Sequence, residues 1–282
     1  MINSKRDLQF NYLGYSFTDL KDIVNSIEKY YYSFSKTKTD STGAPRKKNG
    51  VIQKRVFKPS KGKLRDIQNK IKDTILIKLP LQPCVKGGVK GQDTIANAHV
   101  HKGNKYRFQT DLSKFFPSVS EEMIFQMFMD HGFSRVIARI LSQLTTIDGE
   151  LIFRKKSLPQ GAPTSTHLAN LIFAKVDLEI LKLIEGKSIV YTRWVDDLTF
   201  SSKNLFEEMK IDIIRIISAN GLKINRRKTS QRTKRSVITG IDTGNNTLRV
   251  SKEFKEKNII KLSADQVLGR TKYAERVRKA NK

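Results

Sequence analysis

An α+β fold, an antiparallel sheet with helices on one face, is what this sequence predicts, and three observations predict it. From residue 107 to 241 the hydrophobic pattern runs strand, helix, helix, turn and helix, hairpin, helix, strand, the layout of that class. The helical stretches are amphipathic and end at Gly186 and Gly221, where glycine suits a left-handed cap. Residues 191–200, YTRWVDDLTF, set two adjacent aspartates between two short aromatic and β-branched runs, which reads as a hairpin with Asp196 and Asp197 at or near its turn. Successive side chains of a strand point to opposite faces, so neighbouring carboxylates serve one site only where the chain turns.

Ser16 and Thr18 are candidate caps for a first helix through Leu20, Ile23, Val24 and Ile27. Residues 36–63 are crowded with Lys, Arg, Gly, Ser and Pro and read as basic hairpins, with β-like pieces at 32–34 and 56–57. A helix follows, with Leu64, Ile67, Ile71, Ile75 and Leu76 at helical spacing. The glycine-marked 83–105 is a loop with a short helix at 95–101. Arg107 to Leu112 alternates as a strand that delivers Asp111, and Pro117 stops it. Ser118 with Glu121 forms a capping box for a helix burying Ile124, Phe125 and Phe128, and SRVIARILSQL packs behind it. Asp148-Gly149 signals a tight hairpin joining LTTI to ELIF. A long helix runs from the LPQGAP turn to Gly186, and Asn204 with Glu207 caps the next one. Strands at LKIN (222–225) and SVITGI (236–241) flank a basic stretch, and the tail from 251 has helical potential.

The 282 residues carry 54 Lys plus Arg against 27 Asp plus Glu, a net charge of +27. Self-repulsion of that size implies a polyanionic partner, and nucleic acid fits best. An anionic membrane is the rival, but no run approaches 18 apolar residues. The first ten residues have no apolar stretch, so no secretory leader is expected. The single cysteine, Cys84, excludes an internal disulfide and reads as a filler residue in a reducing, cytoplasmic setting. There is no His/Cys zinc cluster, no Walker A loop and no nucleophile elbow.

An Asp-Asp turn alone is usually just solvated. If Asp111 meets Asp196 and Asp197, however, three carboxylates converge on a hard-oxygen site suited to Mg²⁺. Two such ions, roughly 3.5 to 4 Å apart, would serve an in-line phosphoryl displacement.

The ordered set RFQTDLSKFFPS, LPQGAPTSTHLANL, YTRWVDDLTFS, GLKINRRKT and VITG resembles the palm of bacterial reverse transcriptases, most closely the retron enzymes and their relatives in phage defence. The likeness covers about residues 55–260, with motifs at 107–116, 158–165, 191–200 and 221–229. NAHVH at 97–101 is similar to the retron NAxxH signature, and ITG at 238–240 to their VTG triplet. The resemblance implies a right-hand polymerase fold: an N-terminal helix and fingers (1–106), a palm (107–241) and a short, truncated thumb (242–282).

It also implies roles. Asp111, Asp196 and Asp197, helped by the Leu112 carbonyl, would hold two Mg²⁺ ions. Phe116 would be the gate that excludes a 2′-hydroxyl. Gln160 and Gly161 would lie against nucleotide and template, and Lys228 near the leaving pyrophosphate. Arg55 or Lys54 would clamp the triphosphate; the sequence does not separate them. Asn97, His101, Thr239, Gly240, Arg226 and Arg227 would contact RNA. The chain departs from the family pattern at Trp194-Val195, where Tyr-Ala usually precedes the aspartates, and at Thr166, where proline is common. About forty residues follow Gly240, so either the thumb is minimal or a structured RNA or another subunit completes the grip.

The expected function is an RNA-directed DNA polymerase copying a dedicated non-coding RNA, with RNA–DNA duplex and dNTPs as further partners, within an antiphage defence system. The alternatives are a non-retron defence reverse transcriptase with another priming route and a catalytically silent palm-like RNA-binding protein.

Overall fold

The computed structural model describes residues 4–39, 44–148, 155–233, 236–256 and 262–281. The chain forms two compact units, each discontinuous in sequence. The class is α+β, as the periodicity requires.

The first unit holds residues 1–37, 54–82 and 114–175. Its helices are Phe17–Asn25, Gly62–Lys70, Glu121–Asp130 and Arg135–Thr145, with Ser165–Ile184 contributing its residues up to Lys175. Ser16 caps the first of these in a reciprocal box with Asp19. Leu20, Ile23, Leu64, Ile67, Ile71, Phe128, Ile137 and Leu141 are buried, the stripes that the helical spacing marked. One buried polar group is fully used: Gln68 accepts from Ser60 Oγ at 2.7 Å and donates to Tyr31 Oη and the Leu144 carbonyl at 2.8 and 2.9 Å. A two-stranded antiparallel ribbon, Phe34–Thr37 with Lys54–Phe57, rises from this anchor, where Tyr31 bridges to Ser60.

One local expectation for this unit is corrected. The cap of Glu121–Asp130 is Ser120, which accepts from Met123 N at 3.2 Å. Ser118 instead ends the short helix Phe115–Ser118 and donates to the Phe115 carbonyl. Ile147–Asp148 pairs with Lys156–Ser157; Gly149 of the expected Asp148-Gly149 turn and the ELIF segment lie outside the described residues.

The second unit holds residues 38–53, 83–113 and 176–282. Its centre is a four-stranded antiparallel sheet in the order Ser230–Thr233, Tyr106–Asp111, Asp197–Ser202, Val190–Trp194. Register sorts the side chains into two faces. Phe108, Phe200 and Tyr191 align across three strands, with ring centroids 5.7 and 4.5 Å apart. The alternate rows, Asp111–Asp197, Gln109–Thr199–Thr192 and Arg107–Ser201, form a polar face.

The LKIN strand is also corrected: Ile224 makes only a single bridge to Leu112, and the edge strand is Ser230–Thr233, within the stretch taken for a basic separator. Asn204 does not cap the helix Glu208–Ala219, which starts at Glu207 without a side-chain cap. SVITGI is a hairpin about Thr239-Gly240, extended by Arg249–Val250. The helix Ala264–Lys279 packs Val277 and Tyr273 onto a satellite core of Ile95, Ala98, Ile238, Ile241 and Leu248. Among the described residues no helix is long and apolar enough to cross a membrane.

Candidate active site

Trp194 and Asp197 pair across the hairpin, which leaves Val195-Asp196 as a two-residue turn. Val195 takes φ 59°, a conformation glycine normally supplies at the first central position of such a turn. For a β-branched residue the left-handed region costs about 1–2 kcal/mol, so the surroundings must impose it. They do so from three directions. The Lys86 and Gly87 amides donate to the Arg193 carbonyl, and the Arg193 amide donates to the Cys84 carbonyl at 2.8 Å. A Cβ on Gly87 would stand 2.7 Å from the Val195 nitrogen and 2.9 Å from Trp194 backbone, so only glycine lets this segment lie against the turn. Arg193 Nη1 donates to the Val195 carbonyl at 2.9 Å.

Arg193 is itself fully buried and bonded to Asp177, with Nη2 2.7 Å from Oδ2 and Nε 3.0 Å from Oδ1. Tyr191 Oη adds a third bond to the same carboxylate at 2.7 Å. A buried charge pair survives only when it is matched in this way.

This turn brings the acids together. Asp111 lies directly opposite Asp197 in register, and the Leu112 amide donates to the Asp196 carbonyl at 2.9 Å. One carboxylate oxygen from each of Asp111, Asp196 and Asp197 lies within 4.8 Å of the others. Asp111 Oδ1 accepts from Asn225 Nδ2 at 3.1 Å and Oδ2 from Lys228 Nζ at 2.5 Å. Enclosure of its carboxyl, then the charges of Asp196 and Asp111, push Asp197 up to about 7, with Lys228 pulling the other way. The residue still presents surface to solvent, so the repulsion is the part of that shift which an incoming cation would cancel. Three converging all-oxygen donors with one ammonium already drawn in fit a hard divalent cation of the Mg²⁺ type.

The other expected residues are placed as follows. Lys54 and Arg55 are exposed and lie on the ribbon of the first unit. In the same unit Phe116 is half-buried beside Phe115, and Phe115 is the core residue, packed edge-on against Phe173. Gly161 takes φ 105°, and a Cβ placed there would stand 3.6–3.7 Å from Pro59; the Gln160 carbonyl accepts from the Lys58 amide at 2.8 Å.

In the second unit Arg226 and Arg227 are exposed. Asn97 and His101, expected at an RNA interface, are buried and offer it no surface. Asn97 Nδ2 donates to Thr239 Oγ1 at 3.3 Å, so the two short signatures NAHVH and ITG hold each other. His101 Nδ1 and Nε2 lie 2.6 and 2.7 Å from the hydroxyls of Ser201 and Thr192 on the polar face of the sheet. Burial, then the charge of Arg107, pull this imidazole down to about 3, so it sits there neutral. Thr239 and Gly240 both take positive φ at the hairpin turn. Burial pushes the Cys84 thiol up to about 12, which suits the filler role.

Sequence reasoning missed Asp177, Arg193, Gly87 and Asn225. An acid spaced four residues after Phe173 and three before Ile180, on the apolar face of LANLIFAKVDLEIL, was the available signal for Asp177; nothing local marked the others.

The family model described as reverse transcriptase (RNA-dependent DNA polymerase) matches residues 46–259. The chain is 33% identical over 206 residues to the retron Ec86 reverse transcriptase of Escherichia coli, covering 71% of this chain and 62% of that one. To the retron Mx65 reverse transcriptase of Myxococcus xanthus it is 30% identical over 229 residues, covering 76% and 52%. The chain thus spans about half the length of the curated relatives it matches. A solved telomerase from Candida albicans, in complex with a fragment of telomeric RNA, aligns with TM-score 0.46 and 11% identity over 67% of this chain and 37% of that one.

Proposed function

This chain belongs to the reverse transcriptase (RNA-dependent DNA polymerase) family, and on that premise we propose that it is an RNA-directed DNA polymerase of the retron type. In this reading it copies a dedicated structured non-coding RNA into DNA, in the cytoplasm, as part of an antiphage defence system. The observation that carries the polymerase reading is the convergence of Asp111, Asp196 and Asp197 within 4.8 Å in a chain of net charge +27. The likeness to two retron enzymes supports the retron side.

Asp111, Asp196 and Asp197 would hold the metal, two Mg²⁺ ions in this reading, with Leu112 contributing its carbonyl. Bound divalent cations supply the positive charge that an in-line phosphoryl displacement needs on its attacking and leaving oxygens. The remaining steps fall to the chain's own groups. Lys228, salt-bridged to Asp111, would give its proton to the leaving pyrophosphate. Phe116 would exclude the 2′-hydroxyl, Gln160 and Gly161 would position nucleotide and template, and Arg55 or Lys54 would neutralise the triphosphate. The exposed Arg226 and Arg227 and the Thr239-Gly240 turn would meet the backbone of an A-form duplex, whose grooves favour phosphate and 2′-hydroxyl contacts over base reading.

Primer extension on an RNA template with Mg²⁺ tests the enzyme, comparing the natural chain with Asp196→Asn and Asp197→Asn. Incorporation is expected only from the natural chain; equal incorporation by all three rejects the reading. Sequencing the nucleic acid that copurifies tests the retron assignment: a branched RNA–DNA joint supports it, and any other DNA end assigns a different priming route.

A further inference from the structure

Asn225 grips Asp111 by both its backbone and its side chain. The Asn225 amide nitrogen donates to the Asp111 carbonyl at 2.6 Å, and Nδ2 donates to Asp111 Oδ1 at 3.1 Å. The neighbouring backbone secures the same pairing, with the Ser113 amide on the Lys223 carbonyl at 2.7 Å and a bridge between Leu112 and Ile224. Lys228 holds the other oxygen, Oδ2. The Asp111 carboxylate thus has one neutral holder and one charged one.

The two holders differ in how they tolerate a divalent cation. An ammonium and a metal ion compete for the same carboxylate oxygen, and like charges a few ångströms apart repel. The Lys228 side chain is 46% exposed against 7% for Asp111, so it has solvent to move into. The Asn225 amide carries no charge and keeps its bond. A ligand that has lost one holder stays aimed only through the other, which is the role of the partners behind a metal ligand.

Turn formation does not account for an asparagine here. The turn that carries Lys228 is closed by the Asn225 carbonyl, which accepts from the Lys228 and Thr229 amides at 2.9 and 3.1 Å and from Thr229 Oγ1 at 3.1 Å. Thr229 Oγ1 also meets Thr110 Oγ1 at 2.9 Å, which ties the turn to the strand without the Asn225 side chain. Serine or aspartate suits a turn as well. Of the three, only asparagine offers a carboxylate a neutral N–H at this reach, and aspartate would set a fourth like charge beside the acidic cluster.

We propose that Asn225 is a positioning residue for the divalent cation: its amide fixes the Asp111 carboxylate through Oδ1, so that Oδ2 is the oxygen offered once Lys228 moves off. The inference rests on the reading above in taking Asp111, Asp196 and Asp197 as a cation site.

The test is a Mn²⁺ titration of the full chain without nucleic acid or dNTP, with free ion read by electron paramagnetic resonance. The natural chain should bind Mn²⁺, and Asp111→Asn should lose that binding. Asn225→Ala should bind about tenfold to a hundredfold more weakly. Asn225→Gln, which keeps the donor on a longer stem, should recover most of the loss. In single-nucleotide extension by Asn225→Ala, the Mg²⁺ concentration for half-maximal rate should rise by the same factor, with the dNTP KM at saturating Mg²⁺ unchanged. If Asn225→Ala melts early, Asn225→Ser takes its place, because serine suits the turn but is too short for the bond. A half-maximal Mg²⁺ concentration that stays put while melting temperature and rate fall would mark a purely structural role and overturn the inference. Equal Mn²⁺ binding by the natural chain and Asp111→Asn would reject the cation site itself. Binding that depends on Asp111 but is kept at full strength by Asn225→Ala and Asn225→Ser overturns this inference alone.

Discussion

Arg193 and Asp177 form a fully buried ion pair, Nη2 to Oδ2 2.7 Å, and the same guanidinium holds the Val195 carbonyl one residue ahead of Asp196. The acidic turn is thus held from beneath by charges that never reach solvent. Removing one partner of such a pair strands the other, at about 3–5 kcal/mol. Asp177→Asn and Arg193→Met should each lower stability by that order in urea titrations. The double change Asp177→Asn with Arg193→Met should cost clearly less than their sum. Additive losses would show that the two side chains do not act as a pair.

Gly87 touches the same turn. Gly87→Ala must displace Trp194 and Val195 backbone, and overpacking of this kind costs about 1–3 kcal/mol. Single-turnover extension should fall by about tenfold to a hundredfold, the scale of an ångström-sized misplacement of reacting groups. Val195→Gly should do the reverse to stability, raising it by about 1 kcal/mol through relief of the left-handed strain.

The acidic cluster opposes folding when no cation is bound. Asp197 is raised to about 7, so between its ordinary value near 4 and pH 7 the folded chain keeps a proton that the unfolded chain releases. Metal-free stability should therefore fall as pH rises through that window. Asp197→Asn should remove this slope and raise the metal-free melting temperature at pH 8 by on the order of 2 °C. Divalent ion should stabilise the natural chain and not the variant, as differential scanning fluorimetry would show.

His101 gives the opposite slope. Its imidazole is held neutral down to about 3, while the unfolded histidine takes a proton below about 6.5. Its contribution is complete above 6.5 and is lost as pH falls towards 3, at up to about 1.4 kcal/mol per pH unit. His101→Gln should lose stability at pH 8 and show a shallower acid transition by circular dichroism. An unchanged acid slope would mean that the ring is protonated in the folded chain.

Phe116 is proposed as the sugar gate. Phe116→Ala should raise incorporation of ribonucleotides relative to deoxyribonucleotides by about tenfold to a hundredfold in single-nucleotide extension, the range that a lost steric clash of 1–3 kcal/mol spans. Phe115→Ala should instead lower stability by about 3–5 kcal/mol, because Phe115 is the core residue of the two.

Much of this molecule was legible in the chain itself. The amphipathic spacing of Leu64, Ile67 and Ile71, the hairpin around Asp196-Asp197 and the strand delivering Asp111 all follow from short-range pattern, because side-chain direction in helices and strands is periodic. The excess of cations needs only counting. Tertiary structure alone decided which polar residues are buried and whom they meet. His101 went to the polar face of a sheet, against Thr192 in a strand ninety-one residues away, Arg193 to a carboxylate sixteen residues upstream, and Lys54 and Arg55 to opposite faces of their ribbon. Burial and pairing depend on register between distant strands and on desolvation, and a single strand's sequence carries neither.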